Sequence, residues 1–330
     1  MKFGPVAVTD AEGAILAHSV ECGGRKIRKG SALNAAQIVQ LHAAGFSEVI
    51  VAVLEPGDVH EDVAATKLAD ALVPDPAGQL LRTTRAATGR VNLHSTREGV
   101  MVIDAAAIHA VNAVEPMITV ATIAPFQRVA AGEMVATIKV ISYAVDDAAL
   151  QRAIVAAQKA LSIAPPVYAN AALIETSVTA RLPSKKGWTA LKARLDRLNV
   201  DLQDRVVVPH RADDVAAALG DVQADVVFIL TGSATSDMHD IAPDAVRQAG
   251  GEVIHFGMPV DPGNLLFLGR MDGRPVIGLP GCARSPAMNG ADWVLERVIC
   301  GIKVGPDDIA AMGVGGLLKE IPIRPRPREG

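Results

Sequence analysis

The pattern of hydrophobic and polar positions changes character near residue 165. Beyond that point, short apolar runs alternate with helical stripes. The runs 167–174, 205–208, 225–230, 252–256, 265–268 and 276–279 read as strands, while Trp188, Leu191, Leu195 and Leu198 recur at helical spacing. The segments 213–219, 243–249 and 285–299 read as further helices. Gly250-Gly251 closes the second of them, and Asp272-Gly273 marks a hairpin turn. The run 225–230 (DVVFIL) is almost wholly apolar, as expected of a strand buried on both faces. Strand–helix alternation of this kind predicts an α/β fold, a doubly wound and mostly parallel sheet with helices on both faces. Such sheets hold ligands beyond the carboxyl ends of their strands.

The first half is less regular and predicts a mixed α+β region. Ser31 or Asn34 caps a helix through Leu33, Ile38 and Leu41, and Gly45 stands where a helix ends. The run 48–54 (EVIVAVL) reads as a strand. Asp58 followed by Glu61 resembles a capping box opening a helix through Val63, Leu68 and Leu72. From 88 to 140 the strands 91–93, 100–103, 118–123 and 135–141 are expected. Asp146 or Asp147 then caps a helix carrying Leu150, Ile154 and Leu161, and Pro165-Pro166 marks the boundary. The expected organisation is 1–165 as a mixed N-terminal region, in which a split near 75 would give two subdomains. The α/β domain follows at 166–310 and a tail at 311–330, whose prolines and arginines read as extended chain.

At roughly 150 residues per domain, 330 residues fit two domains. Half the chain is hydrophobic and 21% is charged, which permits a packed core and excludes global disorder. Aromatic residues make up only 3%, too few for base-stacking platforms, and the net charge of −4 argues against a broad basic footprint for nucleic acid or anionic lipid. The apolar stretch 105–126 is interrupted by His109, Asn112, Glu115 and Pro116, so it reads as buried core and not as a membrane span. Cys22, Cys282 and Cys300 are odd in number and far apart, with no Cys-x-x-Cys, and fit a reducing cytoplasm. No metal-ligand spacing stands out among eight histidines; His60-Glu61-Asp62 reads as an exposed first helical turn.

Three loops fall at the predicted strand ends. The first, 175–187, carries Arg181, Lys185 and Lys186, which could meet a phosphate or simply face solvent. The second runs Thr231-Gly232-Ser233-Ala234-Thr235-Ser236-Asp237 between a buried strand and a helix start. Small hydroxyl-bearing residues there leave amide N–H groups open to an anion. Asp240 at that helix start is either a plain N-cap or the holder of a cation or polar ligand. The third, Pro280-Gly281-Cys282-Ala283-Arg284-Ser285-Pro286, reads as a helix entry capped by Ser285 or as a second anion cradle beside the first. Cys282 reads as a small inert residue.

These loops, taken in order, resemble the molybdopterin-binding domain family of molybdenum-cofactor biosynthesis, the MoeA/MogA type. Residues 226–298 are similar to the family's run of a Thr-Gly-Gly-x-Ser/Thr loop, a following Asp, a Gly-Gly before a strand, a Pro-Gly before a hairpin and a Leu-Pro-Gly-Asn-Pro-x-Ser turn. The stretch from Gly13 to Leu72 is similar to the family's leading domain, and 75–165 matches least. The resemblance implies a MogA-like sheet and a cytoplasmic protein binding molybdopterin or its nucleotide form. Thr231, Gly232, Thr235, Pro280, Gly281 and Ser285 would face the ligand, with Asp240 at the reaction centre; Ser233, Asp237, Arg284, Lys185 and Lys186, in the same loops, are the further candidate ligand-binding residues. It implies Mg²⁺ as an accompanying ion, and either molybdotransferase-like insertion of molybdate or handover of the cofactor. A nucleotidyltransferase or molybdoenzyme would be the partner, within a homo-oligomer.

The departures from the pattern are specific. Ser233 replaces the loop's second glycine, Asp237-Met238 stands for a Gly-acid pair, and the third turn reads Pro-Gly-Cys-Ala-Arg-Ser. Pro209-His210 and Glu175-Thr176-Ser177 replace acid-bearing segments, so pterin binding carries over better than catalysis. The alternatives are a regulatory or scaffold module on the same fold that has lost the ligand, and a pyrophosphatase-like nucleotide hydrolase.

Overall fold

The computed structural model describes residues 1–318. The Pro/Arg segment 321–330, expected to be an extended tail, lies outside the described residues. The chain forms two compact units: Met1–Arg97, Met101–Pro125 and Ala131–Ile163 make the first, and Glu98–Val100, Phe126–Ala130 and the chain from Ala164 onward make the second.

In the first unit, Lys2–Ala7 and Ile15–Leu16 flank Glu48–Val53 in an antiparallel sheet. Helix Ala35–Ala43 is opened by Asn34, whose Oδ1 accepts from the Gln37 amide at 3.0 Å. Leu16, Leu33, Leu41 and Val51 fill the core between them. A second antiparallel sheet orders Ile118–Thr122, Met134–Val140, Arg90–Ser95 and Leu81–Thr83.

Three local expectations are corrected here. Asp58 does not cap a helix: Asp58–His60 is a strand paired with Ala144–Asp146, and the helix begins at Glu61 behind His60. The Asp58 carboxylate instead takes the Glu55 amide at 2.6 Å and the N-terminal ammonium at 2.8 Å, and Val63 faces outward. The run 105–126 is not one buried block but a helix, Ala105–Val114, capped by Asp104, followed by a strand. Leu161 leaves the helix Asp147–Ala157 and lies in the strand Leu161–Ala164.

The second unit is the doubly wound sheet. Its elements are β1 (Asn170–Ser177), α1 (Lys186–Asp196), β2 (Asp201–Leu202), β3 (Val206–Pro209), α2 (Ala212–Asp221), β4 (Val226–Leu230), α3 (Ile241–Gln248), β5 (Glu252–Phe256), β6 (Phe267–Met271), β7 (Arg274–Gly278), α4 (Gly290–Ile299) and α5 (Pro306–Ala311). β2 and β3 pair with β1 in parallel, β4 pairs with β1, and β7 pairs with β4. β6 and β5 continue the sheet antiparallel. The β6–β7 reversal uses Asp272 and Gly273 at φ +50° and +79°, the left-handed pair that a two-residue hairpin requires.

β4 shows why the sheet is buried on both faces. Val226, Phe228 and Leu230 join Leu191, Leu195, Val294 and Leu295 on one side. Val227 and Ile229 join Val215, Leu219, Ala245 and Val246 on the other. The period-2 alternation of a strand thus places consecutive apolar residues in two different cores. Each such fully buried side chain contributes roughly 1.5–3 kcal/mol over exposure. No helix among the described residues is long and apolar enough to cross a membrane.

Candidate functional site

Because β1, β3, β4 and β7 are parallel, their carboxyl ends at Ser177, Pro209, Leu230 and Gly278 fall on one edge. The three loops read from the sequence leave that edge. β4 neighbours both β1 and β7, so the second loop lies between the other two.

The second loop is tied to the end of β1. The Gly232 amide donates to Thr176 Oγ1 at 2.7 Å, and the same hydroxyl lies 2.8 Å from His210 Nδ1. A Cβ on Gly232 would stand 2.7 Å from the Thr176 carbonyl oxygen and 3.3 Å from the Val178 nitrogen, so only glycine allows this approach. Thr231 and Thr235 are buried, with hydroxyls 3.1 Å apart, and Thr231 Oγ1 donates to the Ser233 carbonyl at 2.6 Å. Ser233 and Asp237 are exposed; one Asp237 oxygen accepts from the His239 amide at 2.8 Å. Asp240 is the N-cap of α3, and both its oxygens are engaged, by the Ile241 amide at 2.7 Å and the Ser236 amide at 3.0 Å.

The third loop departs from its expected form. No helix starts at Ser285: a 3₁₀ turn spans Gly281–Arg284, and α4 begins at Gly290 behind Asn289. Asn289 Oδ1 accepts from the Ala291 amide, while Asp292 Oδ2 accepts from the Asn289 amide at 2.7 Å. This reciprocal cap displaces Ser285 and Pro286 into the connecting segment, where Ser285 Oγ accepts from the Ala287 amide at 3.2 Å. Pro280 is buried behind an exposed Gly281. Arg284 Nη2 donates to the Thr231 carbonyl at 2.6 Å and so joins the third loop to the second.

The first loop supplies Lys185 and Lys186, both exposed at the start of α1. A Cβ on Gly187 would meet Leu230, would stand 2.8 Å from Glu175 Oε1 and 3.7 Å from Arg284 Cγ, so the first turn of α1 presses on the ends of β1 and β4. Glu175, 1% exposed, pairs with Arg205 at 2.6 Å, and Arg205 also donates to the Ser184 carbonyl at 3.0 Å. Thus Lys185, Lys186, Thr231, Gly232, Ser233, Thr235, Asp237, Pro280, Gly281, Arg284 and Ser285 share one edge. Asp240 stands one loop-length back, committed to its helix.

Four participants were not among the candidate site residues read from the sequence: Thr176 and His210, noted there only as departures from the family pattern, and Arg205 and Arg194. Arg194 is buried on α1, beside the apolar stripe, and a charge in that register was the available signal. Among the described residues, no three His, Cys, Asp or Glu are grouped to hold a metal ion. Beside the joined loops, between the first loop and the end of β3, lies a cavity of about 700 Å³ lined by residues 177–182 and 207–211.

Fold and site together define a doubly wound α/β domain whose second and third loops converge at the strand ends. Residues 186–299, from α1 to α4, match the family described as a probable molybdopterin binding domain, so the resemblance read from the sequence holds over this segment. Residues 5–53 match a domain of unknown function, DUF8806. Solved structures with a similar course include a molybdopterin biosynthesis moeA protein from Pyrococcus horikosii, at 12% identity over 90% of this chain and 75% of that one, TM-score 0.30. Another is a molybdenum cofactor biosynthesis protein B, at 14% identity over 40% of this chain and 88% of that one, TM-score 0.28. No curated protein matches the sequence.

Proposed function

We propose that the α/β unit binds molybdopterin or its nucleotide form, and that the protein acts in molybdenum cofactor biosynthesis as a binding and handover partner. The observation that carries the reading is the convergence of Gly232 and Arg284 within the matched segment. Gly232 lets the second loop's backbone pack against the end of β1, and Arg284 draws the third loop onto it. The exposed loop residues Gly232 and Ser233, beside the cations Lys185, Lys186 and Arg284, suit the phosphate of such a ligand. Ser233 and Gly281 would line the approach, with Thr231 and Thr235 holding the loop's shape. Mg²⁺ would arrive with the ligand's phosphates and use the exposed Asp237.

Handover is favoured over insertion because Asp240 spends both carboxylate oxygens on amides of its own loop and helix. A nucleotidyltransferase or a molybdoenzyme would receive the ligand, and a homo-oligomer is the assembly this reading implies. The test is titration of the full chain with molybdopterin, followed by pterin fluorescence, with and without Mg²⁺, ATP, CTP and molybdate. Saturable binding weakened tenfold or more by Gly232→Val is expected. No saturable binding overturns the reading, and molybdate insertion lost in Asp240→Asn would replace handover with catalysis.

A further inference from the structure

One surface of the first unit gathers positive charge. From Pro76 to Arg97 the chain has no Asp or Glu, yet that stretch holds Arg82, Arg85, Arg90 and Arg97, in a protein whose net charge is −4. It forms the strands Leu81–Thr83 and Arg90–Ser95, which pair with each other, and Arg90–Ser95 pairs on its other side with Met134–Val140. Strand alternation separates two faces. Leu81, Val91, Leu93, Ile138 and Val140 are buried on one. Arg82, Arg90, Asn92, His94, Thr137 and Lys139 lie on the other, where Arg82 and Arg90 are exposed and the rest half-buried. Arg85 is exposed in the turn between the first two strands.

The register sets cations against one another. Arg90 stands opposite Lys139, and Arg82 opposite His94. Like charges directly opposite destabilise a sheet. Lys139 is partly relieved, since its ammonium donates to the Thr88 carbonyl and lies 3.9 Å from Glu61. Arg90 has the Thr137 hydroxyl, 3.4 Å from Nη1. Among the described residues, Arg82, Arg85 and Arg90 form no ion pair. Charged side chains on an edge strand guard against association between sheets, and Leu81–Thr83 is an edge. That role does not account for Arg90, whose strand has a neighbour on either side.

We propose that this face binds an extended acidic segment of a partner protein, with Arg82, Arg85 and Arg90 taking its carboxylates. A guanidinium forms two parallel hydrogen bonds to a carboxylate, which suits arginines left without an acid. His94, opposite Arg82, follows Arg90 by four positions, so the two cationic positions stand roughly 13 Å apart at 3.3 Å per residue. An extended chain laid along Arg90–Ser95 spans that distance in as many residues, with alternate side chains toward the sheet. Carboxylates at every second position therefore match the face. A nucleic acid fits less well. The face offers no Phe, Tyr or Trp on which a base could stack, and the chain's net charge repels a polyanion that extends past the face. The face belongs to the first unit, so the proposal goes beyond the pterin reading and stands or falls without it.

The probes are a dye-labelled heptapeptide of alternating Glu and Ser, the same peptide with Lys in place of Glu, and a short labelled DNA duplex. Each is titrated with the full chain and followed by fluorescence anisotropy. The Glu peptide should bind saturably, and more weakly as salt rises. The Lys peptide should not bind, a comparison that needs no variant. Arg82→Gln/Arg90→Gln should weaken binding of the Glu peptide tenfold or more. Arg82→Lys/Arg90→Lys, with point charges in place of forks, should lose less. Lys67→Gln/Arg152→Gln, on the helices Glu61–Leu72 and Asp147–Ala157, should stay within twofold of the parent. Circular dichroism checks that each variant is folded. No saturable binding of the Glu peptide, equal binding of the Lys peptide, tighter binding of the duplex, or equal loss in Lys67→Gln/Arg152→Gln overturns the proposal.

Discussion

Arg194 and Asp292, 98 positions apart in sequence, meet at 2.5 Å between Nε and Oδ1. The remaining guanidinium protons go to the carbonyls of Ala190 and Ala283 from Nη1, at 3.1 and 3.0 Å, and of Ser285 and Ala287 from Nη2, at 2.9 and 3.1 Å. All five donors of a buried arginine are thus satisfied, and three of the acceptors are main-chain oxygens at the third loop, two within it and one, Ala287, just after it. The 3₁₀ turn and the segment after it have their shape because α1 reaches across to hold them.

Removing that charge leaves the buried Asp292 without its ion-pair partner, with only the Asn289 amide still donating to it, and strips three carbonyls of their donor. Arg194→Met is expected to destabilise the chain by about 3–5 kcal/mol, the range for breaking a buried ion pair. Urea unfolding measures it. Arg194→Lys, with a point charge in place of a fork, should recover only part of the loss.

Asp240 separates a cap from a catalyst. As the cap of α3, its replacement by Ala should lower stability by about 0.5–2 kcal/mol, while Asn, itself a good N-cap, should stay close to the parent. Thermal melts of both variants check this, and Asp240→Asn should bind molybdopterin like the parent.

Glu296 on α4 gives the second unit a pH dependence. Burial pushes its carboxyl up from 4.5 to about 7; Asp292 adds repulsion, and Arg128, Arg197 and Arg297 oppose the rise. Arg128 lies 3.3 Å away, on the short ribbon where Val100 pairs with Arg128. Between these two pH values the folded chain keeps a proton that the unfolded chain has released. Stability therefore falls as pH rises through that window and levels off above about 7. The span is worth at most about 3 kcal/mol at 1.36 kcal/mol per pKa unit. Glu296→Gln should flatten this part of the profile, as read by urea midpoints between pH 5 and 8.

The α/β sheet was legible because β4 is apolar at every position and the helices between strands keep a 3.6-residue stripe. The second loop was legible for a related reason: a small, hydroxyl-rich turn after a buried strand has few other uses. The start of α4 was misread because Ser285-Pro286 has the local form of a helix entry. Asn289 and Asp292 make a reciprocal cap four residues later, and Arg194 holds the intervening carbonyls. Asp58 and Glu61 misled in the same way, since the N-terminal ammonium that claims Asp58 is distant in sequence. Local rules cannot see a partner that arrives by tertiary contact. For that reason the contacts of Thr176, His210 and Arg194 stayed hidden while Gly232 and Gly281 did not.

The central claim is that two loops, pinned by Gly232 and Arg284, form one pterin cradle. Equilibrium dialysis of the full chain against molybdopterin, compared with Gly232→Ala and Arg284→Gln, tests it most directly. Both variants should remain folded and lose tenfold or more in affinity, since one displaces the second loop from Thr176 and the other frees the third loop from Thr231. Parent-like affinity in both variants, or no retention of molybdopterin by the parent chain, contradicts it.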